Sequence, residues 1–154
     1  MHADRPPTLL SRLIRWGLLW FYKARGWKAI GAPPADRRCV IIAAPHTSNW
    51  DFVNLLGLTG DLGVKVHFMG KRSLWRWPLK RFMTDMGGLP VDRSGSHNAV
   101  EAMIAEFRRR KEFMLVIAPE GTRGAVTKWR TGFYHIARGA GVPLVLGMMD
   151  YGKR

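Results

Sequence analysis

The sequence predicts an α/β domain: a layered mixed sheet flanked by helices, with an amphipathic helix at the N-terminus. Three observations carry this. Short β-rich apolar runs alternate with segments of helical periodicity from Cys39 onward. The 154 residues, 47% of them hydrophobic, suit one domain with a real core. The first stretch, Leu9 to Trp27, carries apolar residues at helical spacing interrupted by arginines.

Taken in order, Leu10, Leu13, Ile14, Gly17, Leu18 and Phe21 trace one helical face, with Arg12, Arg15, Lys23 and Arg25 among them. The uninterrupted apolar run, Trp16 to Tyr22, falls short of the roughly 20 residues that span a bilayer. Punctuating arginines and the lack of a small-residue cleavage site argue against a signal peptide. Two readings remain. One is an interfacial helix with Trp16, Trp20 and Trp27 at headgroup depth and cations on anionic lipid. The other is a helix packed on the domain's own core with a solvated basic face.

Gly31 to Asp36, with Pro33 and Pro34, reads as a linker, which divides the chain into residues 1–36 and a domain over 37–154. Strands are expected at Cys39–Ala44, Val64–Met69, Gly88–Val91, Phe113–Ala118 and Pro143–Met149. Helices are expected at Asp51–Leu62, capped by Ser48 or Asn49, at Leu74–Met86 across Pro78, from Gly95 or Ser96 to Arg110, and at Gly132–Arg138 closed by Gly139.

Lys and Arg total 25 against 11 acidic residues, a formal charge of +14. That excess calls for a negatively charged partner: nucleic acid, an anionic membrane or a phosphorylated substrate. No nucleic-acid motif accompanies it. The run Arg108-Arg109-Arg110-Lys111 reads as a solvated helix end. Cys39 is the single cysteine and sits in an apolar run, so an inert buried thiol is expected. No zinc-type spacing exists among the histidines.

Two loops carry the candidate chemistry, each after a strand. The first is Pro45-His46-Thr47-Ser48-Asn49-Trp50-Asp51. Asp51, in the first turn of a helix, can return to the imidazole of His46, fix its tautomer through Nδ1 and leave Nε2 to take a proton. No serine or cysteine is placed as a nucleophile, so the attacking hydroxyl would belong to the substrate. Taken alone, the pair fits helix capping better than catalysis. The second loop is Ala118-Pro119-Glu120-Gly121-Thr122-Arg123. Gly121 permits a tight backbone, Thr122 and the amides can donate, and Arg123 can fork onto phosphate. Glu120 can hold an arginine or accept from a substrate hydroxyl. Alone, this too fits a polar turn better. Lys71 and Arg93 end two further strands, so His46, Lys71, Arg93 and Arg123 all fall at strand carboxyl ends, the ligand-collecting edge of α/β sheets.

Four ordered blocks resemble the glycerolipid acyltransferase family, whose best-known members acylate 1-acylglycerol-3-phosphate. They are H-x-x-x-x-D at His46–Asp51, a hydrophobic-Asp-Arg ending at Val91-Asp92-Arg93, P-E-G-T-R at Pro119–Arg123, and Val142-Pro143-Leu144. Gly70-Lys71 with Leu74 and Pro78 matches the approach to the second block. The resemblance implies that His46 is the general base and Asp51 its orienting partner. It implies that Lys71, Arg93, Glu120, Gly121, Thr122 and Arg123 form the acceptor site, and that an acyl group moves from acyl-CoA or acyl carrier protein to a lysophospholipid. No bound cofactor or metal is implied. It further implies a peripheral enzyme of the cytoplasmic membrane face, using the N-terminal helix to reach anionic lipid. The alternatives are a different lipid acceptor, such as an amino-acid lipid or glycolipid, or a non-catalytic basic membrane protein. Ala118 stands where the family usually has phenylalanine. The chain also stops directly after the fourth block, where the family usually continues, which fits a minimal member or a shortened chain.

Overall fold

The structure, a computed structural model, describes residues 5–91 and 96–152. Helix α1 spans Leu9–Ala24 and precedes a parallel sheet of five strands: β1 (Arg38–Ala44), β2 (His67–Lys71), β3 (Gly88–Val91), β4 (Phe113–Ile117) and β5 (Leu144–Met148). Helices α2 (Trp50–Asp61), α3 (Leu79–Asp85), α4 (Ser96–Arg109) and α5 (Gly132–Ala140) join successive strands. The strand order is β3-β2-β4-β1-β5. All the strand pairings are parallel, where the sequence suggested a mixed sheet. The reason is topological: a helix in each connection returns the chain to the same end.

The sheet separates two apolar layers. All five residues of β4 are buried. Phe113, Leu115 and Ile117 pack with Val40, Met103, Phe107, Ile136 and Ala137 under α4 and α5. Met114 and Val116 alternate to the other face, beside Cys39, Val66 and Leu55. The Phe107 and Phe113 rings meet edge to face at 4.7 Å. The Cys39 thiol is fully buried and its pKa is pushed up to about 11, mainly by that burial, as an inert thiol requires.

Several boundaries differ from the sequence expectation. Strand β2 starts at His67 because Val64 still bonds back to Thr59 at the end of α2. The expected helix through Pro78 divides into a 3₁₀ turn at Arg72–Trp75 and α3 from Leu79. Arg76 between them is extended, and proline, which lacks an amide hydrogen, is tolerated at the start of a helix but not in its interior. Helix α5 runs past Gly139 and ends at Gly141, whose φ of 65° is the left-handed cap. Gly139 serves packing instead: a Cβ there would lie 2.4 Å from Ile104 Cδ1 of α4.

Helix α1 lies on α2. The Tyr22 ring sits so close to Gly57 that a Cβ at Gly57 would be 2.2 Å from it. Asp61 then accepts from the Tyr22 hydroxyl at 3.4 Å and the Ala29 amide at 3.2 Å, and pairs with Lys23 at 2.5 Å. At the other end, Thr8 caps the helix and donates to Asp85. Ser11 and Tyr22 are its buried positions. Leu9, Leu10, Leu13, Ile14, Trp16 and Trp20 are exposed, Trp16 by 69% and Trp20 by 65%. So the face that docks on α2 is distinct from the apolar stripe, which points to solvent.

Candidate active site

The parallel order places the carboxyl ends of β1 and β4 side by side, with Ile42 opposite Ile117. The two loops that follow therefore meet. Just past β1, the backbone amide of His46 donates to Glu120 Oε1 at 3.3 Å. The imidazole is half-buried, and its Nδ1 lies 3.1 Å from Asp51 Oδ2. That contact selects the tautomer protonated on Nδ1 and leaves the Nε2 lone pair free.

Asp51 is held in place by its other bonds. Oδ2 also accepts from the amides of Thr47 at 2.7 Å and Ser48 at 2.8 Å. The N-cap is Asn49, which makes no side-chain capping bond; the Ser48 hydroxyl just before it accepts from Trp50 N at 3.1 Å and stands 3.5 Å from Oδ1. The turn that leads into α2 is therefore the turn that carries Asp51 to His46. Burial alone would raise the Asp51 carboxyl. Donation from Ser48, Tyr151 and Thr47, with the neighbouring imidazole, outweighs it and holds the pKa below the ordinary value.

The second loop is built differently. Gly121 adopts φ 66° and its amide bonds back to Ala118 O at 3.2 Å. Glu120 faces inward, and its buried Oε2 has no hydrogen-bond partner among the described residues. A carboxylate oxygen in that state can accept from a hydroxyl or a guanidinium. Thr122 Oγ1 accepts from Gly124 N at 3.4 Å, a local turn bond. Arg123 is exposed, with no bonded partner among the described residues. Lys71 ends β2 at the same sheet edge and is exposed. Arg93 lies outside the described residues.

Sequence reasoning missed two nearby residues. Arg130 bonds through its amide to Pro119 O at 2.8 Å, and its side chain covers Gly121, with Cδ 2.7 Å and Nε 2.8 Å from where a Cβ would stand. Tyr151 donates to Asp51 Oδ1 at 2.5 Å across 100 residues of chain. Neither lies in a recognisable block; each arrives through loop closure. Two expectations are also corrected. Trp27 is half-buried, edge-on to Tyr151 at 5.2 Å, rather than grouped with the exposed tryptophans. Arg110 is not simply solvated: it pairs with Glu106 at 2.6 Å and stands 3.1 Å from His67 Nε2. Beside the pair, a cleft of about 300 Å³ opens between Phe21, Trp27, Trp50, Arg25, Ser48 and Tyr151.

The fold and site define a parallel α/β domain with a histidine–aspartate pair beside a glycine-bearing loop at the strand ends. The profile of the Acyltransferase family matches residues 31–146, and the chain belongs to that family. It is 30% identical over 130 residues to proteins named 1-acyl-sn-glycerol-3-phosphate acyltransferase from Salmonella typhimurium and Salmonella typhi, covering 78% of this chain and 51% of each relative. The Escherichia coli protein of that name is 30% identical over 112 residues, covering 68% of this chain and 44% of its own length. The chain thus spans about half the length of the curated relatives it matches. No solved structure matches it.

Proposed function

We propose that this protein is an O-acyltransferase that moves a fatty acyl group from an acyl thioester, acyl-CoA or acyl carrier protein, to the free hydroxyl of 1-acylglycerol-3-phosphate or a closely related lysophospholipid. The observation that carries the reading is the contact between His46 Nδ1 and the buried, multiply bonded Asp51, which supports Nε2 in the role of base. Family membership and the relatives' names supply the reaction class and the acceptor.

In this mechanism Nε2 takes the proton of the acceptor hydroxyl as its oxygen attacks the thioester carbonyl. The C–S bond then breaks, and the imidazolium returns the proton to the departing thiolate. An ester and a free thiol result, with no acyl-enzyme. Asp51 orients the ring and balances its transient charge. Arg123, with Lys71 at the end of β2 and with Arg93 as the family resemblance implies, compensates the acceptor phosphate, and Glu120 accepts from an acceptor hydroxyl or steadies an arginine. The rate gain comes mainly from holding two substrates together. Among the described residues no helix is long and apolar enough to cross a membrane. The exposed stripe of α1, with its interspersed cations, supports a peripheral placement on the membrane that holds the lipid acceptor, and the family resemblance assigns the cytoplasmic face.

The test uses labelled acyl-CoA and lysophosphatidic acid with wild type and His46→Ala. Acylation by wild type and a loss of at least about 10³-fold in the variant is expected. Equal product from both would remove His46 as the base and leave lipid binding as the reading. Acylation of an amino-acid lysolipid or glycolipid in preference would move the acceptor assignment and keep the chemistry.

A further inference from the structure

We propose that Tyr151 is a positioning residue for the His46–Asp51 pair, delivered from the edge strand beside β1 to lock the torsion of the carboxylate. The inference rests on the acyltransferase reading and adds a residue outside all four sequence blocks.

The argument begins with the freedom of an aspartate. Its terminal torsion is broad and nearly two-fold, so rotamer preference alone does not keep a given oxygen on a given partner. Asp51 presents Oδ2 to three donors, the amides of Thr47 and Ser48 and the ring of His46. A modest rotation would weaken all three. Oδ1 is fixed mainly by the Tyr151 hydroxyl at 2.5 Å, while the Ser48 hydroxyl stands at 3.5 Å, the limit of a bond. A short bond to one oxygen sets the plane in which the other must lie. Because Asp51 is buried, water is a poor substitute donor for Oδ1.

Tyr151 is itself held at both ends. It follows β5, whose Met148 pairs with Ala44 of β1, so the turn after β5 overhangs the loop that begins at Pro45. The Tyr151 ring then meets Trp27 edge-on at 5.2 Å. The chain after α1 thus braces the phenol, and the phenol braces the carboxylate. Burial and the adjacent Asp51 charge push the Tyr151 pKa up, so the phenol keeps its proton and remains a donor at neutral pH.

Tyr151→Phe removes the hydroxyl and keeps the ring against Trp27. In the lysophosphatidic acid assay kcat is expected to fall about tenfold, while KM for both substrates stays within about twofold and the melting temperature stays near wild type. In an Asp51→Asn background the same change is expected to lower kcat no further, since its effect acts through that carboxylate. A readout without substrate is the ¹⁵N spectrum of the His46 ring: almost wholly Nδ1–H in wild type, with a clear Nε2–H fraction in Tyr151→Phe. Wild-type kcat and an unchanged ring spectrum in Tyr151→Phe would overturn the proposal. So would an equal kcat loss in the Asp51→Asn background, which would make Tyr151 a packing residue. His46→Ala separates the two levels. An inactive His46→Ala beside a fully active Tyr151→Phe sinks only this inference, whereas an active His46→Ala sinks the acyltransferase mechanism beneath it.

Discussion

The two loops at the strand ends share a sheet edge and differ in how their polar atoms are satisfied. In the His46–Asp51 loop each carboxylate oxygen is bonded, the acceptor is buried and the turn into the helix supplies the orienting contact. In the Glu120–Arg123 loop one glutamate oxygen is unpartnered among the described residues, and residues 121–130 are all exposed. One loop is finished before substrate arrives; the other has valences for a ligand to complete. A proton-transfer pair must hold its geometry through the reaction, which rewards preorganisation. A binding loop that must admit and release a charged lipid gains from open donors. Defects in the first loop should therefore appear in kcat, and defects in the second in KM.

After His46→Ala, the largest expected effect is that of Asp51→Asn. The amide keeps an acceptor for Thr47 and Ser48 but cannot balance an imidazolium, and it permits the wrong ring tautomer. A loss of about 10² to 10⁴ in kcat is expected, with KM for the acceptor little changed. A KM effect without a kcat effect would erase the distinction between the loops. The same variant tests the acid side of stability. The folded Asp51 pKa lies below its ordinary value. Its contribution is therefore fully present above the ordinary carboxylate range and is lost as pH falls through the folded value. Asp51→Asn should flatten the decline of melting temperature below about pH 4 relative to wild type.

Next in size is Gly121→Val. The residue sits at φ 66°, where a β-branched side chain is strained, and its new atoms would enter the space of Arg130. The loop must shift or Arg130 must leave. Acceptor KM is expected to rise about tenfold or more while kcat stays within a few-fold. A kcat loss as large as that of Asp51→Asn would show that the loop positions the base rather than the ligand.

The same contrast explains what sequence reasoning reached. The His46–Asp51 contact is local, five residues apart at the start of a helix, so spacing and capping rules place it without tertiary information. The joining of Glu120 to His46 needed only the inference that both loops follow the carboxyl ends of strands in one sheet. The contacts of Arg130 and Tyr151 are set by how the loop before α5 and the turn after β5 close over the edge, and no periodicity records that. Helix ends failed where two chemistries compete for one residue type. Gly139 and Gly141 both suit a stop signal, and only packing against Ile104 assigns the first to close contact and the second to the cap. The composition of α1 left its burial open, because an amphipathic stripe looks alike whether it faces a core or a lipid surface. Tyr22 on Gly57 decides which side is occupied.

That decision yields the smallest predicted effect on chemistry and a distinct one on location. Trp16 and Trp20 are 69% and 65% exposed on the side of α1 away from α2. Replacing both by alanine removes no core contact, so the fold should change by no more than about 0.5 kcal/mol. If this stripe seats the protein on lipid, the double variant loses interfacial aromatic area, and partitioning onto vesicles containing phosphatidylglycerol should fall about tenfold or more. Turnover with a soluble short-chain lysophosphatidic acid should be unaffected, because neither loop is touched. Raising the salt should weaken both proteins by a similar factor, since Arg12, Lys23 and Arg25 remain. Equal vesicle binding by wild type and double variant would assign membrane contact to the cations alone and leave the exposed stripe without that role.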